Sequence, residues 1–66
     1  MDVCVNGAKR VLPEGATIQE LLVAYNLQPV RVAVELNRDI VPKPAYATTG
    51  LKPGDKVEIV TFVGGG

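Results

Sequence analysis

The sequence predicts an α+β domain in which one short helix packs on one face of a mixed sheet of four to five strands. Three observations carry this. Apolar and polar residues alternate with period two near the beginning, the middle and the end of the chain. One segment, opening at Thr17, repeats its apolar residues at helical spacing. Between these stretches stand turn signals rather than a second helix: Asn6-Gly7, Pro13-Glu14-Gly15, Asn37-Arg38-Asp39 and Pro53-Gly54. A length of 66 residues leaves room for one domain.

Each element follows from its residues. Met1, Val3 and Val5 alternate with Asp2 and Cys4, the pattern of a half-buried strand. Asn6-Gly7 tolerates the two positive φ angles of a type I′ turn, so residues 9–12 return as a second strand. Pro13-Glu14-Gly15 breaks it. Thr17 and Glu20 form a capping box, and Ile18, Leu21, Leu22 and Tyr25 make a single apolar stripe. Asn26 suits a left-handed C-terminal position, and Pro29 resists continuation. So short a helix needs a sheet to lie on. Val32, Val34 and Leu36 alternate with Ala33 and Glu35 as a third strand, and Asn37-Arg38-Asp39 turns into the extended piece Ile40-Val41-Pro42. Residues 43–49 have no clear period and are expected to be irregular, with a helical turn around 45–47 and Tyr46 as their anchor. Pro53-Gly54 suits a type II turn, with Asp55 making an Asx-type bond to the backbone. Residues 57–63 form the last strand. The domain is expected to span residues 1–63, followed by a flexible glycine tail at 64–66.

Composition removes several function classes. Seven basic and seven acidic side chains cancel, so charge gives no reason to expect nucleic acid or an anionic membrane as a partner. No apolar run approaches the roughly 20 residues a membrane span requires. The opening residues lack the pattern of a signal peptide, and the single cysteine cannot form an internal disulfide, so a cytoplasmic protein is expected. With no histidine and one cysteine, the usual transition-metal sites cannot be assembled, and Ser-His or Cys-His catalysis is excluded. No phosphate-binding glycine loop is present. Neither a catalytic residue nor a metal ligand is expected, and the chain is read as a non-enzyme.

The chemistry must therefore lie elsewhere, and Gly64-Gly65-Gly66 is the candidate. Three residues without side chains add nothing to a core and lose much backbone entropy on ordering. Their physical advantage is thinness, which lets a backbone thread a narrow channel toward another protein's catalytic groups. With Gly66 read as the terminus, its α-carboxylate is the candidate reactive group. On the strand before it, Glu58, Val60 and Phe62 share one face and Val57, Ile59 and Thr61 the other. Glu58 should face water, so Val60 and Phe62 are expected to be exposed beside it as a docking patch; the plainer alternative folds Phe62 over the sheet edge.

In this order the elements resemble the β-grasp, or ubiquitin-like, fold. The resemblance sharpens at Val5-Asn6-Gly7, at Val32-Ala33-Val34-Glu35-Leu36-Asn37-Arg38 running into Ile40-Val41-Pro42, and at Gly54-Asp55-Lys56-Val57-Glu58-Ile59-Val60 leading to Phe62-Val63-Gly64-Gly65-Gly66. Together these resemble the ThiS family, the sulfur carriers of thiamin biosynthesis. The resemblance implies an E1-like adenylating partner (ThiF-type) that activates the Gly66 carboxylate with ATP and magnesium. Sulfur from cysteine, delivered through a desulfurase, then replaces the adenylate to give a thiocarboxylate. A thiazole synthase (ThiG-type) uses that sulfur. Gly66 is the implied acceptor, with Gly64 and Gly65 as the threading tail.

Three other readings compete: a carrier for molybdopterin or another sulfur-containing metabolite, a β-grasp module that binds without covalent chemistry, and a tag joined to lysines of other proteins. Cys4 alternates with Val3 and Val5, so it is placed on the outer face of the sheet as an inert small hydrophobe with no cationic neighbour in sequence. Arg38 and Lys43 flank Ile40-Val41-Pro42 and read as solvated surface charge, with steering of an acidic partner as the alternative.

Overall fold

The computed structural model of the chain describes residues 1–62. Val63 and Gly64-Gly65-Gly66, with the boundary expected between domain and tail, lie outside the described residues. Five strands form one sheet: β1 (Asp2–Val5), β2 (Ala8–Val11), β3 (Val32–Leu36), β4 (Asp39–Val41) and β5 (Lys56–Thr61). One helix, α1 (Ile18–Ala24), lies between β2 and β3 in the chain. The strand order is β2-β1-β5-β3-β4, with β1 and β5 parallel and the other neighbours antiparallel. The first and last strands therefore pair at the centre. This is the mixed sheet with one helix that the sequence predicts.

The alternation in the sequence becomes the two faces of the sheet. Val3, Val5, Val32, Val34, Val41, Val57 and Ile59 are buried and pack with Ile18, Leu21 and Leu22 of α1. Tyr46 and Leu51 close the core from the long crossover between β4 and β5. Asp2, Lys9, Glu35, Ile40, Glu58 and Val60 remain on the uncovered face.

The helix begins as the capping box dictates. Glu20 N–H donates to Thr17 Oγ1 at 3.2 Å, and Thr17 N–H donates to the Glu20 carboxylate at 2.9 Å. The crossover satisfies two further unpaired amides at this end: Ile18 N–H donates to Thr49 O and Gln19 N–H to Tyr46 O. Tyr25 is half-buried at the helix's end, and Asn26 takes a φ of 60° as expected. The hairpin turn has φ of 50° at Asn6 and 82° at Gly7, matching type I′.

Several boundaries differ from the sequence reading. The return strand begins at Ala8 and ends at Val11, because the tight turn leaves no spare residue before the ladder starts. A 3-10 helix at Pro29–Arg31 leads into β3, where proline fixes φ for a tight turn. The helical turn expected around 45–47 is a 3-10 helix at Lys43–Ala45, seated on Pro42 and Pro44, with Tyr46 buried just after it. Asp55 bonds backward: Lys52 N–H donates to its Oδ2 at 2.8 Å, while Asn37 Nδ2 donates to its Oδ1 at 3.1 Å. Gly54 takes the positive φ of 85° that the expected turn requires, and the second partner of Asp55 comes from the distant β3–β4 turn.

Candidate functional site

The site is built around the root of the glycine segment. β5 lies between β1 and β3, so the strand leading to that segment is the middle one of the sheet. Its buried residues Val57 and Ile59 fix its orientation, and the period of two then commits Glu58, Val60 and Phe62 to the other face. Val60 is 60% exposed and Phe62 54% exposed, as the sequence predicts. Ladder pairing continues one step past the strand: Phe62 N–H donates to Arg31 O at 2.9 Å.

Register shows what surrounds these two side chains. Val60 stands opposite Ala33, Glu58 opposite Glu35, and Glu35 opposite Ile40. Ile40 is 77% exposed. The open face thus sets an apolar group (Ala33, Val60, Phe62) beside two like-charged carboxylates directly across a strand pair, with Ile40 on the β4 side of Glu35. Among the described residues neither glutamate has an ion-pair partner. Like charges at directly opposed positions destabilise a sheet. Replacing Glu58 with lysine is therefore expected to raise Tm by roughly 2–5 °C at low salt, by turning repulsion from Glu35 into attraction. Thermal melts at low and high salt check this; a gain indifferent to salt means the pair is not electrostatically coupled.

Other candidates fall as follows. Cys4 is half-buried on the open face, as placed, but the sheet sets Lys9 and Lys56 in register on either side of it. Sequence neighbours alone did not disclose those cations. Asn6, read only as a turn former, accepts from Ile59 N–H at 2.7 Å and donates through Nδ2 to Ile59 O at 3.2 Å. It thereby ties the β1–β2 turn to β5. Asn37 does the same at the far end of β5, accepting from Lys56 N–H at 2.9 Å. Arg38 takes a φ of 74° in that turn, an uncommon conformation for a residue with a side chain.

Lys43 departs most from its sequence reading. Its ammonium donates to Val32 O at 3.1 Å and stands 5.8 Å from the centre of the Phe62 ring. Among the described residues no three His, Cys, Asp or Glu side chains come together as a metal site, and no helix is long and apolar enough to cross a membrane.

Comparison with known proteins adds to this geometry. The chain matches the ThiS family over residues 3–66, a match that runs through the glycine segment. It is 48% identical over 50 residues to the sulfur carrier protein ThiS of Bacillus subtilis, covering 76% of each chain. It is also 42% identical over 66 residues to a thiazole synthase of Paramagnetospirillum magneticum, but spans only 20% of that longer protein. In three dimensions it resembles the crystal structure of the thiamine biosynthesis protein ThiS from Geobacter metallireducens, with a TM-score of 0.84, 38% identity and full coverage of both chains.

Proposed function

This chain belongs to the ThiS family, and from that premise we propose that it is a cytoplasmic sulfur carrier of thiamin biosynthesis whose Gly66 carboxylate is the acceptor. The observation that carries the reading is the extent of the family match, which runs over residues 3–66 and so includes Gly64, Gly65 and Gly66 along with nearly all of the domain before them.

The chemistry suits a chain without catalytic side chains. A carboxylate at neutral pH is a poor electrophile. An E1-like, ThiF-type partner would use ATP and magnesium to join the Gly66 carboxylate oxygen to the α-phosphorus, expelling pyrophosphate. The terminal sulfur of a persulfide, drawn from cysteine by a desulfurase, would then attack the acyl carbon and expel AMP, and a thiol reductant would cleave the S–S bond of the resulting acyl persulfide, leaving with the donor sulfur as a disulfide and freeing the thiocarboxylate. The resulting thiocarboxylate is an anionic sulfur nucleophile that needs no general base. In this scheme the chain is a protein co-substrate, and the cytoplasm is where such reduced sulfur species persist.

A ThiG-type thiazole synthase is the proposed acceptor. The similarity to part of a longer thiazole synthase favours it over molybdopterin chemistry. Val60 and Phe62 are the proposed docking residues because, among the described residues, they are the large exposed apolar groups on β5 and the residue that follows it toward the glycine segment. Changing Phe62 to aspartate is expected to raise Kd for the adenylating partner by about tenfold or more while leaving Tm nearly unchanged. Titration calorimetry and a thermal melt check both halves. A large fall in Tm with binding intact would mean that Phe62 serves the fold instead.

The deciding experiment is fragment-resolved mass spectrometry of the C4S variant after incubation with ATP, magnesium, the adenylating enzyme and a sulfur donor. Removing Cys4 prevents thiol oxidation from mimicking the oxygen-to-sulfur exchange. Sulfur localised to Gly66 upholds the proposal. A carboxylate that stays unmodified with every competent adenylating partner leaves a non-covalent interaction module.

A further inference from the structure

We propose that Lys43 is a positioning residue for sulfur loading, holding the Phe62 ring against the end of β3 and so fixing the root of the glycine segment. The proposal rests on the carrier reading for its place in the reaction, but the clamp itself stands on geometry in the free protein.

The register explains why a lysine does this. β3 and β4 pair Leu36 with Asp39 and Val34 with Val41, so the next pair in register would join Val32 to residue 43. The ladder does not reach it. β4 stops at Val41 and the chain turns into the 3-10 helix at Lys43–Ala45. The carbonyl of Val32 loses the backbone partner its place in the sheet would have provided, and the Lys43 ammonium supplies the bond instead, at 3.1 Å. The same ammonium lies 5.8 Å from the Phe62 ring centre, within cation–π range. Phe62 is meanwhile joined through its own N–H to Arg31 O, one residue before Val32. Residues 31, 32, 43 and 62 thus form one closed set of contacts.

Lys43 is mounted rigidly for this task. Pro42 and Pro44 flank it and restrict the backbone before and after it. Ala45 N–H donates to Pro42 O and Tyr46 N–H to Lys43 O, and the Tyr46 side chain is buried in the core. A lysine on a free loop would lose much more entropy in making the same two contacts. Phe62 is otherwise an exposed ring at the end of its strand. Held by the ammonium, it meets a partner already ordered, and its entropy loss on binding is smaller.

The consequence falls on KM rather than kcat, because a saturating partner orders Phe62 by its own contacts. Replacing Lys43 with methionine is expected to raise KM for the chain in adenylation-dependent ATP–pyrophosphate exchange by about three- to tenfold, with kcat unchanged. Lys43→Arg keeps a cation that can both donate and stack, and is expected to return KM to near the parent value. In the free protein, the Phe62 ring protons are expected to lose their nuclear Overhauser contacts to residue 43 and move toward random-coil shifts in the methionine variant, and to stay dispersed in the arginine variant. An unchanged Phe62 spectrum in Lys43→Met, an unchanged KM, or no rescue by arginine would each overturn the proposal. If the unaltered chain supports no exchange with any adenylating partner, the carrier reading fails and with it the role in loading; the ring spectra then show only whether the clamp exists.

Discussion

A variant lacking Gly65 and Gly66 is expected to accept no detectable sulfur while melting within about 2 °C of the intact chain. The two halves have separate causes. All buried hydrophobic residues described fall between Val3 and Ile59, so the deletion removes nothing from that core. The carboxylate, however, moves to Gly64. In an extended chain two residues span about 7 Å, and a reacting group misplaced by even about 1 Å can lose much of its rate. Glycine also matters for what it lacks: no Cβ obstructs the passage of the backbone through a narrow active-site channel. Mass spectrometry of the loading reaction, run beside a thermal melt, checks both statements. Retained partner-dependent activity after the deletion would exclude a terminal acyl carrier and favour docking alone. A large loss of Tm would show that the glycine segment supports the fold.

The largest structural effect is expected at Leu21. Its side chain is 1% exposed, in the centre of the helix stripe that packs on the sheet. Truncation to alanine removes buried methyl groups and leaves space that the surroundings fill only in part, at a cost of about 2–5 kcal/mol. A domain of this size has a total stability of roughly 3–10 kcal/mol, so the variant is expected to be partly or wholly unfolded at 37 °C. Val23 supplies the control. It lies on the same helix but is 69% exposed, and its truncation is expected to change stability by about 0.5 kcal/mol or less. Urea denaturation of both variants checks this, with a shift in midpoint at constant slope as the signature of lost stability. Equal effects at the two positions would contradict the orientation of α1.

Much of this was legible in the residues because the signals are local. The Asn6-Gly7 turn, the Thr17–Glu20 capping box, the left-handed Asn26 and the burial of Ile18, Leu21 and Leu22 each depend on residues within one or two turns of each other. The exposure of Val60 and Phe62 was legible for the same reason. Once Val57 and Ile59 are assigned to the core, period two leaves their neighbours no choice of face. Local patterns were less informative where two elements shared a function. Lys43 looked like solvated charge because its partners, Val32 and Phe62, lie 11 and 19 positions away in sequence. Asn6 showed its turn propensity but not its two bonds to Ile59, and Cys4 did not disclose Lys9 and Lys56.

The sequence by itself determined the element types, the helix face, the outward strand residues and the family, since each rests on short-range periodicity, turn chemistry or motif. Only the tertiary structure decided the order β2-β1-β5-β3-β4, the opposition of Glu35 to Glu58, and the clamp of Lys43 on Phe62. The physical reason is that sheet pairing joins residues far apart in the chain, and no local propensity records which strand will become the neighbour of which.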